Sequence, residues 1–242
     1  MNALELFQSG KLQAAIQALG NEVRSAPLDA KRRLFLFELL CFAGDYDRAE
    51  KHLEVVAGTS QAANLGALLY RSAIHAERTR QKMFEDSSFP MPHNALETSG
   101  HTNAKPFAGF ADADPRIGGA LEVFVAGSYS WIDFEQIASI EIPRPKQLRD
   151  LLWTPAIVTM TPEYQAMELG EVLLPVLSPL SWKDPDDLVR LGRSTIWKQD
   201  AVHGEIPVGQ KLFLAGEECI PILELGKVEL SLRLGTSDAL PS

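Results

Sequence analysis

A chain of 242 residues with 45% hydrophobic side chains can fill one large core or two small ones. Its net charge of −9 argues against a broad electrostatic attraction to nucleic acid or to an anionic membrane. No basic-then-apolar leader opens the chain and no apolar run approaches the ~18 residues of a bilayer span. The two distant cysteines, Cys41 and Cys219, fit reduced thiols in a cytoplasmic protein.

The first predicted elements are helical. "GKLQAAIQAL" from Gly10 and "GDYDRAEKHL" from Gly44 align at an offset of 34 residues, the period of tetratricopeptide helix pairs; Ala15 matches Ala49 and Leu19 matches Leu53. Each glycine suits the left-handed close of a first helix, Pro27 falls between pairs, and Asp29 is the expected N-cap of the next helix. That helix, "RRLFLFELLCF", is apolar on nearly every side around the single charge of Glu38 and must be buried all round. Asp45 to Val56 reads as a surface helix. A third stretch, Ala62 to Phe84, sets Leu65, Leu69, Ala73 and Ala76 on one face and ends in cations that favour its dipole. Residues 1–86 are therefore expected to form a tetratricopeptide-like α-α superhelix of at least five helices, a generic helical bundle being the alternative. Two echoes are few for such an array, so it should lean on a second domain.

The segment 87–107, rich in Pro, Gly, Ser and Asn, reads as a loop or linker. Beyond it the period becomes two. "LEVFVAGSYSWIDF" predicts a hairpin turning near Gly127-Ser128, and "IASIEI", "AIVTM", "EVLLPVL", "TIWKQ", "KLFLAG", "CIPILEL" and "KVELSLRL" are further strand candidates. "KQLRDLLW" and "DPDDLVRLG" are short helical segments. Residues 108–242, which hold all four tryptophans and most of the acidic excess, are thus expected to be an α+β domain with a mixed or antiparallel sheet.

The chain carries no phosphate loop, dinucleotide fingerprint, zincin helix or nucleophile elbow. Its five histidines do not cluster; His93 and His101 share the linker without further ligands. Asp112 and Asp114 in "ADADPR" stand one residue apart, as Mg²⁺ or Mn²⁺ ligands can, but the same residues make a turn or pair with Arg116 equally well. Arg116, Arg144, Arg149, Arg190 and Arg193, set among tryptophans, suit internal carboxylates and carbonyls better than a ligand. No catalytic residue, metal or cofactor is assigned.

The ordered set "FLFELLCFAGDYDRAEKHL", "DADPRIGGALEVFVAGSYSWIDFEQI", "LRDLLWTPA", "LLPVLSP" and "DDLVRLGRSTIW" resembles the ImpE family, the TagJ or SciE-type accessory proteins of bacterial type VI secretion. The resemblance runs from about Leu6 to Leu230. It implies a tetratricopeptide-like part joined to an α+β domain. It further implies a cytoplasmic, non-enzymatic protein that binds the N-terminal helix of the TssB-type small sheath subunit and is linked to the ClpV ATPase, with no nucleic acid or membrane partner. Family chains usually carry more helix where this one has residues 87–107. On the concave face of such an array Leu4, Phe7, Leu34, Glu38, Cys41 and Phe42 are the expected seat for a partner helix. The remaining alternatives are a helical scaffold for unrelated partners and a metal enzyme using Asp112 and Asp114.

Overall fold

Short polar residues start four of the first five helices, where an unpaired backbone N–H needs an acceptor. In a computed structural model that describes residues 1–90, 98–102, 105–166 and 169–232, Asn2 forms a capping box with Glu5 at the head of α1 (Ala3–Gln8). The side chains of Asp29, Asp45 and Ser60 accept one N–H each, from Arg32, Arg48 and Ala63, at the heads of α3 (Ala30–Phe42), α4 (Tyr46–Ala57) and α5 (Gln61–Glu85). α2 (Leu12–Ser25) begins without a side-chain cap and is held by its buried stripe of Leu12, Ala15, Ile16, Leu19 and Val23. Gly10 and Gly44 close the turns after α1 and α3 with φ of +78° and +71°, the left-handed region that a glycine enters without cost. Each helix packs on the next, and α3 is buried throughout its C-terminal half, as its all-round apolar sequence requires.

The helices are followed by an antiparallel α+β part. Its main sheet has eight strands: β1 (Thr98–Thr102), β2 (Lys105–Ala108), β4 (Ala120–Val125), β5 (Ser128–Asp133), β6 (Ile137–Glu141), β7 (Trp153–Met160), β8 (Glu171–Pro175) and β13 (Lys227–Leu232). They lie in the order β2-β1-β13-β6-β7-β8-β4-β5. β3 (Phe110–Asp112), β11 (Leu212–Ala215) and β12 (Glu218–Pro221) make a three-stranded sheet, and β9 (Ile196–Asp200) pairs with β10 (Gly204–Val208) in a ribbon. Every described pairing is antiparallel. A single helical turn, α6 (Asp187–Arg190), stands between β8 and β9, and "LRDL" is a 3-10 turn.

Two apolar cores result. One fills the sheet between Phe110, Val123, Ile140, Leu174 and Phe213. The other belongs to the helices but is completed by Phe124, Leu152, Trp153 and Leu191, so the helical array does lean on the α+β part.

Two expectations need correction. Within 87–107, expected as loop, the chain forms β1 and β2. "TSGHT" lacks apolar alternation because its inward residues are threonines whose hydroxyls are satisfied: Thr102 donates to the Leu225 carbonyl at 3.1 Å, and Thr98 accepts from the Phe110 N–H at 3.1 Å. At Gly100 a Cβ would stand 2.0 Å from the Glu229 carbonyl oxygen, so only glycine permits the pairing. In α5, Leu65 and Leu69 face outward; the buried face there carries Tyr70, Ala73, Glu77, Arg80 and Gln81. His93 lies outside the described residues.

Candidate partner-binding face and the buried charge network

The two glycines of the 34-residue echo are also docking points for the second part of the chain. A Cβ on Gly44 would lie 2.5 Å from the Trp182 ring, and one on Gly10 would lie 2.4 Å from Leu188. Beside them Arg193 donates to the Gln8 carbonyl at 2.9 Å, the Gln13 N–H donates to Asp187 at 3.1 Å, and Arg190 reaches the Ala43 carbonyl at 3.5 Å. The segment "SWKDPDDLVRLGR" is thus seated across the turn ends of the helical hairpins.

This seating decides where a foreign helix could lie. Of the six residues expected to receive one, Leu4 is 52% exposed and Phe7 and Leu34 are half-buried, whereas Glu38, Cys41 and Phe42 are buried. Between Cys41, Phe42, Tyr46, Trp153 and Trp182 remains a cavity of about 20 Å³, room for one water molecule and not for a side chain. The chain's own second half occupies that place, so Glu38, Cys41 and Phe42 are inaccessible to a docked partner. Phe7 stacks edge-on against Phe35 with centroids 5.8 Å apart, and the Arg193 guanidinium covers it at 4.7 Å. What stays open is a groove of about 560 Å³ on the outer side of α1–α3, where Leu4, Leu19 and Phe35 form an apolar floor rimmed by Glu22, Lys31 and Arg32.

Deeper in, α5 is fastened to the sheet by charge. Arg80, fully buried, donates from Nε and Nη2 to the two oxygens of Glu122 on β4 at 2.7 and 2.9 Å. It also donates to Glu77 at 3.1 Å and to the Leu177 carbonyl at 3.0 Å. Glu77 accepts from the Trp153 indole at 2.9 Å and from the Gln81 amide at 2.5 Å. Gln81 in turn accepts the N–H of Leu180, a residue held at φ +62°. Glu122 further meets Lys211 Nζ at 2.6 Å and accepts the Tyr129 hydroxyl at 2.5 Å. Lys211 also pairs with Asp112.

Burial pushes the Glu122 carboxyl up, but Arg80 and Lys211 together outweigh it and hold the group well below the usual carboxylate range. At Asp112 burial dominates and Lys211 opposes it, while Glu122 and Asp114 add to the burial effect, so this carboxyl is pushed up to about 6.

The acidic pair of the "ADADPR" motif belongs to this network. One Asp112 oxygen accepts the Asp114 N–H at 2.9 Å and the other faces Lys211. Asp114 accepts from the Arg116 N–H at 3.0 Å, from its Nε at 2.8 Å and from its Nη2 at 2.6 Å. Each carboxylate oxygen is engaged by the chain's own donors, so the pair ties a turn to the core instead of presenting a face to a divalent cation. Glu77, Arg80, Glu122 and Lys211 escaped the sequence reading. The available signal was Glu77 and Arg80 standing three residues apart near the end of the long helix.

Comparison with known proteins bears on the whole of this arrangement. A family model described as ImpE protein matches residues 104–229. The type VI secretion system accessory component TagJ of Pseudomonas aeruginosa, strain PAO1, is 33% identical over 91% of this chain and 88% of its own length. The chain belongs to the ImpE family. The crystal structure of protein VPA1032 from Vibrio parahaemolyticus, 23% identical, superposes with a TM-score of 0.82 over 96% of this chain and 98% of that one, a likeness of fold. The matched ImpE segment contains Asp112, Glu122 and Lys211, whereas Glu77 and Arg80 precede it. The charge network therefore joins the ImpE-matched part to the helices before it. Among the described residues no helix is long and apolar enough to cross a membrane.

Proposed function

We propose that this ImpE-family chain is a cytoplasmic, non-enzymatic accessory protein of a type VI secretion apparatus. In this reading it binds the N-terminal helix of the TssB-type small sheath subunit and works alongside the ClpV ATPase. The observation that carries the reading is the identity to the accessory component TagJ over most of both chains. We take α1–α2 and α3–α4 as two tetratricopeptide-like hairpins and α5 as the first helix of a third.

The partner helix then lies in the groove of α1–α3, with its apolar side on Leu4 and Phe35 and its end near Phe7. Burial of ~600 Å² of apolar surface contributes about 15 kcal/mol gross at ~25 cal/mol/Å². Association and ordering cost about 4–15 kcal/mol, which places the affinity in the micromolar range. Calorimetric titration of the chain with a synthetic peptide of that sheath helix tests the reading. Micromolar binding that Leu4→Asp weakens at least ten-fold is expected; absence of heat at peptide concentrations well above the micromolar range would refute it.

A further inference from the structure

A second opening lies away from the groove of α1–α3, in the seam between α5 and the sheet. Its cavity, about 320 Å³, falls at the small end of ligand sites and is walled by Tyr70, Phe124, Trp153 and Leu173. The turn at Ala126 and Gly127 closes one end. Gly127, at φ +83°, comes so near α5 that a Cβ there would stand 3.2 Å from Ser72 Cβ, so this wall is set by backbone packing.

Arg149 is the cation of the cavity. A guanidinium has five N–H donors. Here it makes one long hydrogen bond, to the Tyr70 hydroxyl at 3.4 Å, lies over the Tyr70 ring at 5.4 Å, and stands 3.6 Å from an Asp150 oxygen. Asp150 is not a full counter-ion, because its other oxygen is committed to the N–H groups of Lys146 and Gln147 at 2.8 and 2.9 Å. The buried Glu38 carboxyl on α3 is near enough for Arg149 to lower its pKa, yet among the described residues no hydrogen bond or ion pair joins the two. Glu171 sits at the exposed rim. Arg149, part-exposed on the cavity wall, thus keeps donors in a fork that matches a carboxylate.

Outside, the cavity continues into an apolar surface. Leu65, Leu68 and Leu69 are 61%, 50% and 69% exposed, and their i, i+3, i+4 spacing puts them on one face of α5, with Leu69 also on the cavity wall. Three neighbouring exposed leucines that lead into an aromatic cavity differ from the scattered apolar residues of an ordinary surface. A small ligand would leave this stripe bare, whereas a polypeptide covers it.

We propose that the α5 seam is a second protein-binding site, which takes an amphipathic helical segment bearing an acidic residue: its apolar side covers Leu65, Leu68 and Leu69, one apolar side chain enters the cavity, and its carboxylate pairs with Arg149. This site is separate from the groove of α1–α3 and does not depend on the sheath helix being the partner of that groove.

The test uses the full chain and a displayed library of random peptides of about sixteen residues, enough for four helical turns. Selection on the wild type is expected to enrich peptides with an acidic residue three or four positions from a large apolar one. The enriched peptides, made synthetically, should bind Arg149→Met and Leu69→Asp about ten-fold or more weakly, the loss expected of one charge-assisted pair, and should bind Leu4→Asp as the wild type. Arg149→Met keeps the aliphatic cover on Tyr70, and its thermal unfolding checks that the fold persists. Enrichment of peptides without an acidic residue, equal binding to Arg149→Met, or loss through Leu4→Asp alone would overturn the proposal. So would competition by N-acetylated amino acids at the concentration that competes with the peptide, which would make the cavity a small-molecule site.

Discussion

Glu38 offers the sharpest test of how the helices and the sheet share one interior. It is 8% exposed on α3, and no hydrogen bond among the described residues reaches its carboxyl. Burial is the largest influence on it, raising its pKa; Arg149 lowers it and Asp150 raises it, and the result is a carboxyl pushed up from 4.5 to about 7. A folded-state value above the unfolded one means that the folded chain holds the proton more tightly. Below about pH 4.5 the group is protonated in both states and costs nothing. Between pH 4.5 and 7 the unfolded state ionises first, and stability falls as pH rises. Above pH 7 the full penalty is present, about 3 kcal/mol for the gap between 4.5 and about 7. Glu38→Gln keeps the shape and removes the charge. The variant is therefore expected to match the wild type near pH 4.5 and to exceed it by up to about 3 kcal/mol near pH 8. Urea unfolding of both proteins across that range reads the difference, in which titrations common to the two cancel. A difference that does not change with pH, or a variant less stable at pH 8, would refute the account of Glu38 as a buried, unpaired carboxyl.

Glu122→Gln should act in the opposite sense. It leaves Arg80 and Lys211 buried against a neutral group, at a cost of about 3–5 kcal/mol in urea unfolding at neutral pH, and the deficit should shrink in acid, where the wild-type carboxyl gains its proton. Gly44→Ala combines left-handed strain with a Cβ 2.5 Å from the Trp182 ring. Its cost should exceed the ~1 kcal/mol of backbone strain alone, and Trp182→Leu in the same chain should return part of it, as a double-mutant cycle by thermal unfolding would show.

Legibility in the sequence tracks the range of the interactions. α3 was legible because an all-apolar helix has one solution, burial, and Asp29 was legible as a cap because a cap bonds three residues away. The β4–β5 hairpin was legible from its alternation and its glycine turn. β1 was not, because Thr98, Gly100 and Thr102 become strand residues only once β13 and Leu225 supply partners more than a hundred residues away. The inward face of α5 was hidden for the same reason. Periodicity assigns leucines to the core, yet Glu122, 42 residues distant, draws Arg80 inward with Glu77 and Gln81 and turns Leu65, Leu68 and Leu69 out.

That exchange links structure to function. A helix held to a sheet by a satisfied buried ion pair no longer needs its leucines for its own fold, because the pair fixes orientation even where its net contribution to stability is modest. The leucines are then free to serve another chain. The same logic explains why Cys41 and Phe42, expected to face a partner, are covered. Cys41 and Phe42 have no polar partner to hold them in place of apolar contact, so the nearest apolar surface, Trp153 and Trp182, covers them. Leu4 on α1 and Leu65, Leu68 and Leu69 on α5 are among the apolar residues that this fold leaves exposed.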